Sequence, residues 1–199
     1  DVDFATNLKQ LLANDETITI GCHGNKHRCW SAWPEDRTGF GNELSFSMEK
    51  LSAFAGEKFR PWFRAPGGYI APWMIEVLSE YGITLDSSGS VTKVSDRKVG
   101  LKSGFENVRG TAWRKGLVER YWHSRFGIPV TGPALRIPLL KSLAKQQWMK
   151  VTKDAKCVKE NALLTPSYMV DSLYWHLLDH SISDGRWSPP LHPTLESTP

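Results

Sequence analysis

Cysteine is scarce in this chain. There are three, Cys22, Cys29 and Cys157, with no CxxC pair, and an odd number leaves at least one thiol unpaired in a monomer. A disulfide framework is thereby excluded. A Cys22–Cys29 bridge and buried free thiols both stay open, and with them the redox compartment. Long apolar runs are missing too. None reaches the roughly 18 residues a membrane-spanning helix needs, so no span is expected. The opening Asp-Val-Asp-Phe-Ala-Thr-Asn has no basic stretch followed by an apolar one, so no leader is expected there. Cytoplasmic and exported locations both remain open. No run of five basic residues occurs, and the net charge is only +4. The basic excess lies mostly in residues 93–159 and reads as a solvated face. Trp113-Arg-Lys-Gly and Arg120-Tyr-Trp interleave cations with indoles, but no recognised nucleic-acid motif accompanies them, and no nucleic-acid partner is expected. Repeats, low-complexity tracts and breaks in composition are likewise absent, so residues 1–199 are expected to form one domain.

Tryptophan, by contrast, is plentiful. Nine indoles suit a Trp-rich core, and they equally suit a surface that stacks flat ligands such as sugar rings.

Hydrophobic periodicity divides the first half cleanly. Residues 4–14 read as an amphipathic helix with Leu8, Leu11 and Leu12 on one face. Thr17-Ile-Thr-Ile-Gly21 alternates as a strand does. Residues 43–56 space Leu44, Met48, Leu51 and Phe54 as a second helix. Residues 59–63 form a short apolar strand broken by Pro61, and residues 72–81 a third helix, with proline near its start and Gly82 just past its end. Ile83-Thr-Leu85 is the next strand. Helix and strand alternate, which predicts an α/β fold with parallel strands and crossover helices. The second half is less periodic. Residues 91–130 are polar, with β-like pieces such as Gly127-Ile-Pro-Val130. A helix is expected within residues 134–149, another over 167–178, and Ser188-Pro-Pro-Leu-His-Pro193 is extended.

The residues with chemical potential follow the strands. His23 and His27 stand four apart, a spacing that brings two imidazoles to one metal ion if the segment makes a helical turn. Taken alone, such a pair is as readily structural. Arg64-Ala-Pro-Gly-Gly68 sets an arginine at a strand end before a rigid turn and two permissive glycines. That turn can present backbone N–H groups to an anion, or be a tight loop with a surface arginine. Asp86 follows a strand and precedes Ser87-Ser88-Gly89, as an Asx-turn residue also would. His192 sits between Leu191 and Pro193.

In this order the four features resemble the polysaccharide deacetylase family with the NodB-homology fold. The match is closest from Phe63 to Ser88 and is similar to the subgroup whose strand reads Tyr-Asp-Ser-Ser and whose late histidine precedes proline. Residues 4–90 carry the resemblance, and residues 91–165 add little. It implies an incomplete or distorted (β/α) barrel acting as a hydrolase that removes N-acetyl or O-acetyl groups from a polysaccharide or amino sugar. The implied cofactor is a divalent metal, zinc foremost, held by His23 and His27. Arg64 matches the arginine that orients the general base, Gly67 the backbone donor to the oxyanion, His192 the general acid and Asp86 the carboxylate that tunes it. Gly68, Tyr69 and Trp30 are implied substrate contacts. The partner is a carbohydrate, of identity and with an oligomeric state that the resemblance leaves open.

Four departures stand out. Gly24 replaces the usual Ser or Thr, Arg28 replaces the common Pro, and Leu191 abuts His192 where the family has a variable residue between. The family's first motif, paired aspartates on a strand, has no counterpart; it is expected upstream of Asp1 or lost, with Asp1 and Asp3 as the remaining candidates. Two imidazoles without that carboxylate are expected to hold metal poorly. A degenerate member that binds glycan without catalysis is the alternative reading.

Overall fold

The computed structural model describes residues 2–89, 105–125, 128–129, 132–154, 158–170 and 172–174. They fall into two compact units, residues 2–88 with 105–119, and residue 89 with 120–174.

The first unit begins with helix α1, Val2–Asn14. Leu12 is buried while Leu11 is 49% exposed, so the inward stripe runs through Leu8 and Leu12 rather than all three leucines. Strand β1, Ile20–Cys22, leads through a loop to helix α2, Arg37–Ala55. That helix starts six residues before the periodicity announced it. Asp36 is the reason: its carboxylate accepts the Gly39 N–H at 2.8 Å, an N-cap that satisfies one of the helix's orphan donors. Phe40, Leu44 and Ser47 face inward from α2. Strand β2, Phe59–Phe63, is continuous through Pro61. Its register with strand β3, Leu85–Asp86, begins at Trp62, and the Pro61 carbonyl accepts the Thr84 N–H at 2.9 Å. The proline thus interrupts no paired position on that side. Helix α3, Pro72–Glu80, joins β2 to β3 and buries Met74, Ile75, Val77 and Leu78. Helix α4, Phe105–Lys115, was not evident in the sequence; it joins β3 to strand β4, Val118–Glu119.

The four strands form one parallel sheet in the order β1-β2-β3-β4. The α/β class with parallel strands expected from the alternation is what the structure has. Register aligns the strand ends in one row: Cys22 opposite Phe63, Phe63 opposite Asp86, Asp86 opposite Glu119. Whatever follows those residues emerges at one edge of the sheet. Apolar side chains from α2, α3, β2 and β3 pack beneath this edge, with Leu44, Ile70, Met74, Ile75 and Leu78 almost entirely enclosed. Where α2 crosses near the end of α3, Gly41 leaves room for Tyr81; a Cβ there would come within 2.7 Å of the Tyr81 Oη.

In the second unit, helix α5, Pro138–Asp154, lies where a helix was expected and runs on past residue 149. It packs Ala144 and Leu140 on Ala134 and Leu135 of a preceding 3-10 turn. Strands β5, Ser124–Arg125, and β6, Ile128–Pro129, pair antiparallel. The helix expected over 167–178 is contradicted in its described part. Residues 166–168 turn, and Ser172 bridges Trp122. Tertiary demand overrides helical periodicity here. The buried Arg120 guanidinium donates to the carbonyls of Tyr168 at 2.7 Å, Thr165 at 2.8 Å and Ala162 at 3.1 Å, and its Nε to Leu163 at 2.8 Å. Three of those carbonyls belong to the short helix α6, Glu160–Leu163, and the residues just after it. Meanwhile the Ser172 carbonyl accepts the His123 N–H.

One arginine therefore organises this turn. Arg120→Ala is expected to cost about 2–4 kcal/mol, because hydrogen bonds to a charged donor contribute roughly 1.5–3 kcal/mol and several buried carbonyls lose theirs together. Chemical denaturation followed at the Trp122–Tyr174 ring pair, 4.5 Å between centroids, reads it directly. A change under about 0.5 kcal/mol, the range of an ordinary surface substitution, would refute the assignment.

Candidate functional site

His23 follows β1 directly, and its ring Nδ1 lies 2.7 Å from the Arg64 carbonyl oxygen. A carbonyl only accepts, so Nδ1 carries the proton. This backbone contact is the kind that orients a metal-binding imidazole and fixes its tautomer. His27 comes back beside it, with ring centroids 5.1 Å apart at 77°. The expected helical turn is not what joins them. Residues 23–27 form a loop with left-handed backbone at Gly24 (φ 76°) and at His27 (φ 53°). The Glu43 carboxylate on α2 accepts the Asn25 N–H at 3.1 Å and so ties the loop down. This explains the departure at Gly24. A side chain there would need an unfavourable φ, and its Cβ would sit tightly against Glu43 Oε1 at 3.2 Å. Gly24→Ala is expected to destabilise by about 1–2 kcal/mol, the cost of left-handed backbone for an ordinary residue. Thermal denaturation checks it, and an unchanged midpoint would sink the account.

The Arg64 backbone links β1 to the neighbouring loop, its N–H donating to the Cys22 carbonyl at 2.9 Å. Its guanidinium Nη2 donates to Ser87 Oγ at 2.9 Å. The Ala65 N–H donates to Ser88 Oγ at 2.7 Å. Beyond it Pro66–Gly68 form a 3-10 turn, with Gly67 at φ 61° and Gly68 at φ 72°. The buried Gly68 turns its N–H onto the Ala65 carbonyl, and Tyr69 its N–H onto Pro66, while Gly67 is exposed. Tyr69 is half-buried beside it.

Asp86 ends β3 and is 0% exposed. It accepts the Ser88 N–H at 3.1 Å and the Ser88 hydroxyl at 2.5 Å. Burial pushes its carboxyl up to about 6, against the opposing pull of the Ser88 hydrogen bonds, Glu119 and the Arg64 charge. With no surface at all, Asp86 meets only its neighbours in the interior. Glu119, opposite it on β4, also has both carboxyl oxygens buried. Desolvation, and then the charge of Asp86, hold it well above the usual carboxylate range. Sequence reading passed over Glu119. Its only signal was an acid ending a short apolar strand, Leu117-Val-Glu119, after the helix stop at Gly116.

Trp30 does not fit its expected substrate contact. It is 4% exposed, packed on Phe40 with centroids 5.7 Å apart, and the Arg28 guanidinium covers it at 4.0 Å. The exposed indole nearby is Trp33, at 60%. Arg28, standing where the family has proline, thus has a stacking role. Cys22 is a buried free thiol whose pKa is raised by burial, and Cys29 is free as well, so no bridge joins them. His192 lies outside the described residues, as do Asp1 and Cys157.

The donor set fits two positions of a zinc shell, the imidazoles of His23 and His27. Among the described residues no group of three His, Cys, Asp or Glu side chains is placed to hold a metal ion. No helix among them is long and apolar enough to cross a membrane. Comparisons with protein-family models, curated proteins and solved structures return no match to this chain. Its own geometry must carry the functional reading.

Proposed function

We propose that this chain is a metal-dependent deacetylase that cleaves N-acetyl or O-acetyl groups from a glycan or amino sugar, on a (β/α) barrel of the NodB-homology type. The observation that carries the reading is the His23 Nδ1–Arg64 carbonyl contact. It joins two motifs 41 residues apart and holds the His23 ring by Nδ1, the way a metal-ligating imidazole is commonly held. The strand order supports the finer fold, since barrels add strands sequentially while doubly wound sheets reverse order at a switch point. A zinc ion on the histidine pair would polarise the acetyl carbonyl and acidify a bound water. Arg64, held by Ser87, orients the groups around that water. Gly67, exposed at the turn, offers its backbone toward the oxyanion. His192 gives the proton that lets the sugar amine leave, and acetate is the second product.

One observation favours a second reading. The absence, among the described residues, of a third ligand beside the histidines suits a member that binds glycan without turning it over. Acetate release from a chito-oligosaccharide by the full-length protein in zinc-containing buffer separates the two. Zinc-dependent release supports the deacetylase. Glycan binding without release supports the second reading, and neither release nor binding refutes both.

A further inference from the structure

Glu119 has no place in the chemistry above, yet it is built into the same structure. It pairs in register with Asp86 on the adjacent parallel strand. Both its carboxyl oxygens are sealed from solvent, and no hydrogen-bond donor among the described residues reaches either one. Two enclosed carboxylates side by side cannot both stay ionised at modest cost; one proton held between them removes the repulsion and supplies the missing donor. Asp86 has room to accept it, for a carboxylate offers about four lone-pair sites and Ser88 occupies two.

We propose that Glu119 is a further positioning residue of this site: as a neutral acid it donates its O–H to Asp86, and that bond secures the Ser87-Ser88 turn which fixes Arg64 and, through the Arg64 carbonyl, the His23 ring. The inference rests on the reading of His23 and Arg64 as functional groups. The route is continuous in hydrogen bonds. Asp86 takes the Ser88 hydroxyl, Ser88 Oγ takes the Ala65 N–H, Ser87 Oγ takes the Arg64 guanidinium, and the Arg64 carbonyl takes His23 Nδ1–H. Loss of the proton would place two negative charges under the Ser87-Ser88 turn and loosen that grip.

Among the described residues, the surroundings leave the proton as the means of compensation. From the end of β2, the Arg64 guanidinium is the charge that acts on Asp86. From the loop after β3 come the Ser88 N–H and hydroxyl. Helix α4, packed on β4, buries Val108, Thr111 and Ala112, while its described charges Arg109, Arg114 and Lys115 are exposed. Helix α3 turns inward Met74, Ile75, Val77 and Leu78, none of them charged.

The pH dependence has a definite sign. Both carboxyls titrate higher folded than unfolded, so the folded state binds the proton more tightly. Their contribution to stability is complete below the ordinary carboxylate range. It falls as pH rises from about 3.8 through about 6 for Asp86, and further as Glu119 ionises.

The test uses the whole chain with 15N-labelled histidine, in wild type, Glu119→Gln and Glu119→Leu. The glutamine amide donates as the neutral acid does but never ionises; leucine donates nothing. In wild type the His23 Nδ1–H signal should be protected at neutral pH and lose protection as pH rises. Glu119→Gln should retain it into the alkaline range, and its denaturation midpoint should fall less with pH. Glu119→Leu should lower protection by roughly fivefold to tenfold at every pH, the loss of about one buried hydrogen bond. If Glu119→Gln keeps the wild-type pH dependence, or behaves as leucine does, the proposal is overturned. That comparison stands even if Glu119→Leu does not fold. None of these signals needs a substrate, so a protein that released no acetate would overturn the deacetylase reading and leave this one intact.

Discussion

A His23→Ala variant is expected to lose all metal above background and to lose turnover by more than about 100-fold. Removing an outer-shell partner of a metal ligand already costs about 10–100-fold, and His23 is proposed as the ligand itself. The Arg64 carbonyl accepts the Nδ1–H, so Nε2 is the nitrogen that the proposed metal would take. Two imidazoles alone form a weak site, since zinc sites normally have three or four protein ligands, and the 199-residue chain should release its zinc on dialysis. Equilibrium dialysis with zinc, followed by metal analysis, measures both points. Zinc retained one-to-one by wild type after dialysis would mean that a further ligand completes the shell. Zinc retained equally by wild type and His23→Ala would remove His23 from the metal site. His27→Ala serves as the paired measurement, because an ion held between two rings must fail with either one.

The parts of this fold legible in the sequence were those where local pattern and tertiary environment agree. Phe59–Phe63 is read with its bounds intact, and Pro72–Glu80 within one residue, because each carries its own stop signals. Helix α2 began early because a cap, Asp36, and not hydrophobic spacing decides where it starts. Residues 167–170 fail as a helix because Arg120, more than 40 positions away, takes the Tyr168 carbonyl. No local pattern encodes a competitor so distant in the chain. The site divides the same way. His23, Arg64 and Asp86 were visible because each stands at a strand end, and parallel register carries strand ends to one edge. Trp30 was misjudged, since composition cannot say which of nine indoles a guanidinium and Phe40 will enclose. Glu119 was missed because an acid at a strand end looks solvated until the strand is placed beside Asp86. Between His23 and His27 the residues brought together were right and the backbone was wrong: a left-handed glycine does what a helical turn was expected to do.

His192→Ala is expected to slow N-deacetylation by about 10²–10⁴-fold, the usual contribution of a positioned general acid. The argument concerns the leaving group. An amine expelled without a proton would depart as an amide anion, so the nitrogen must be protonated as the C–N bond breaks. A phenolate leaves as a stable anion and needs no such help. The loss should therefore be large on an N-acetylated chito-oligosaccharide and small on an activated acetyl ester such as p-nitrophenyl acetate. That contrast separates a general acid from a residue that merely supports the fold, whose removal would depress both reactions alike. Equal losses on amide and ester would take the proton-donor role away from His192, and full retention of amide turnover would remove it from the mechanism.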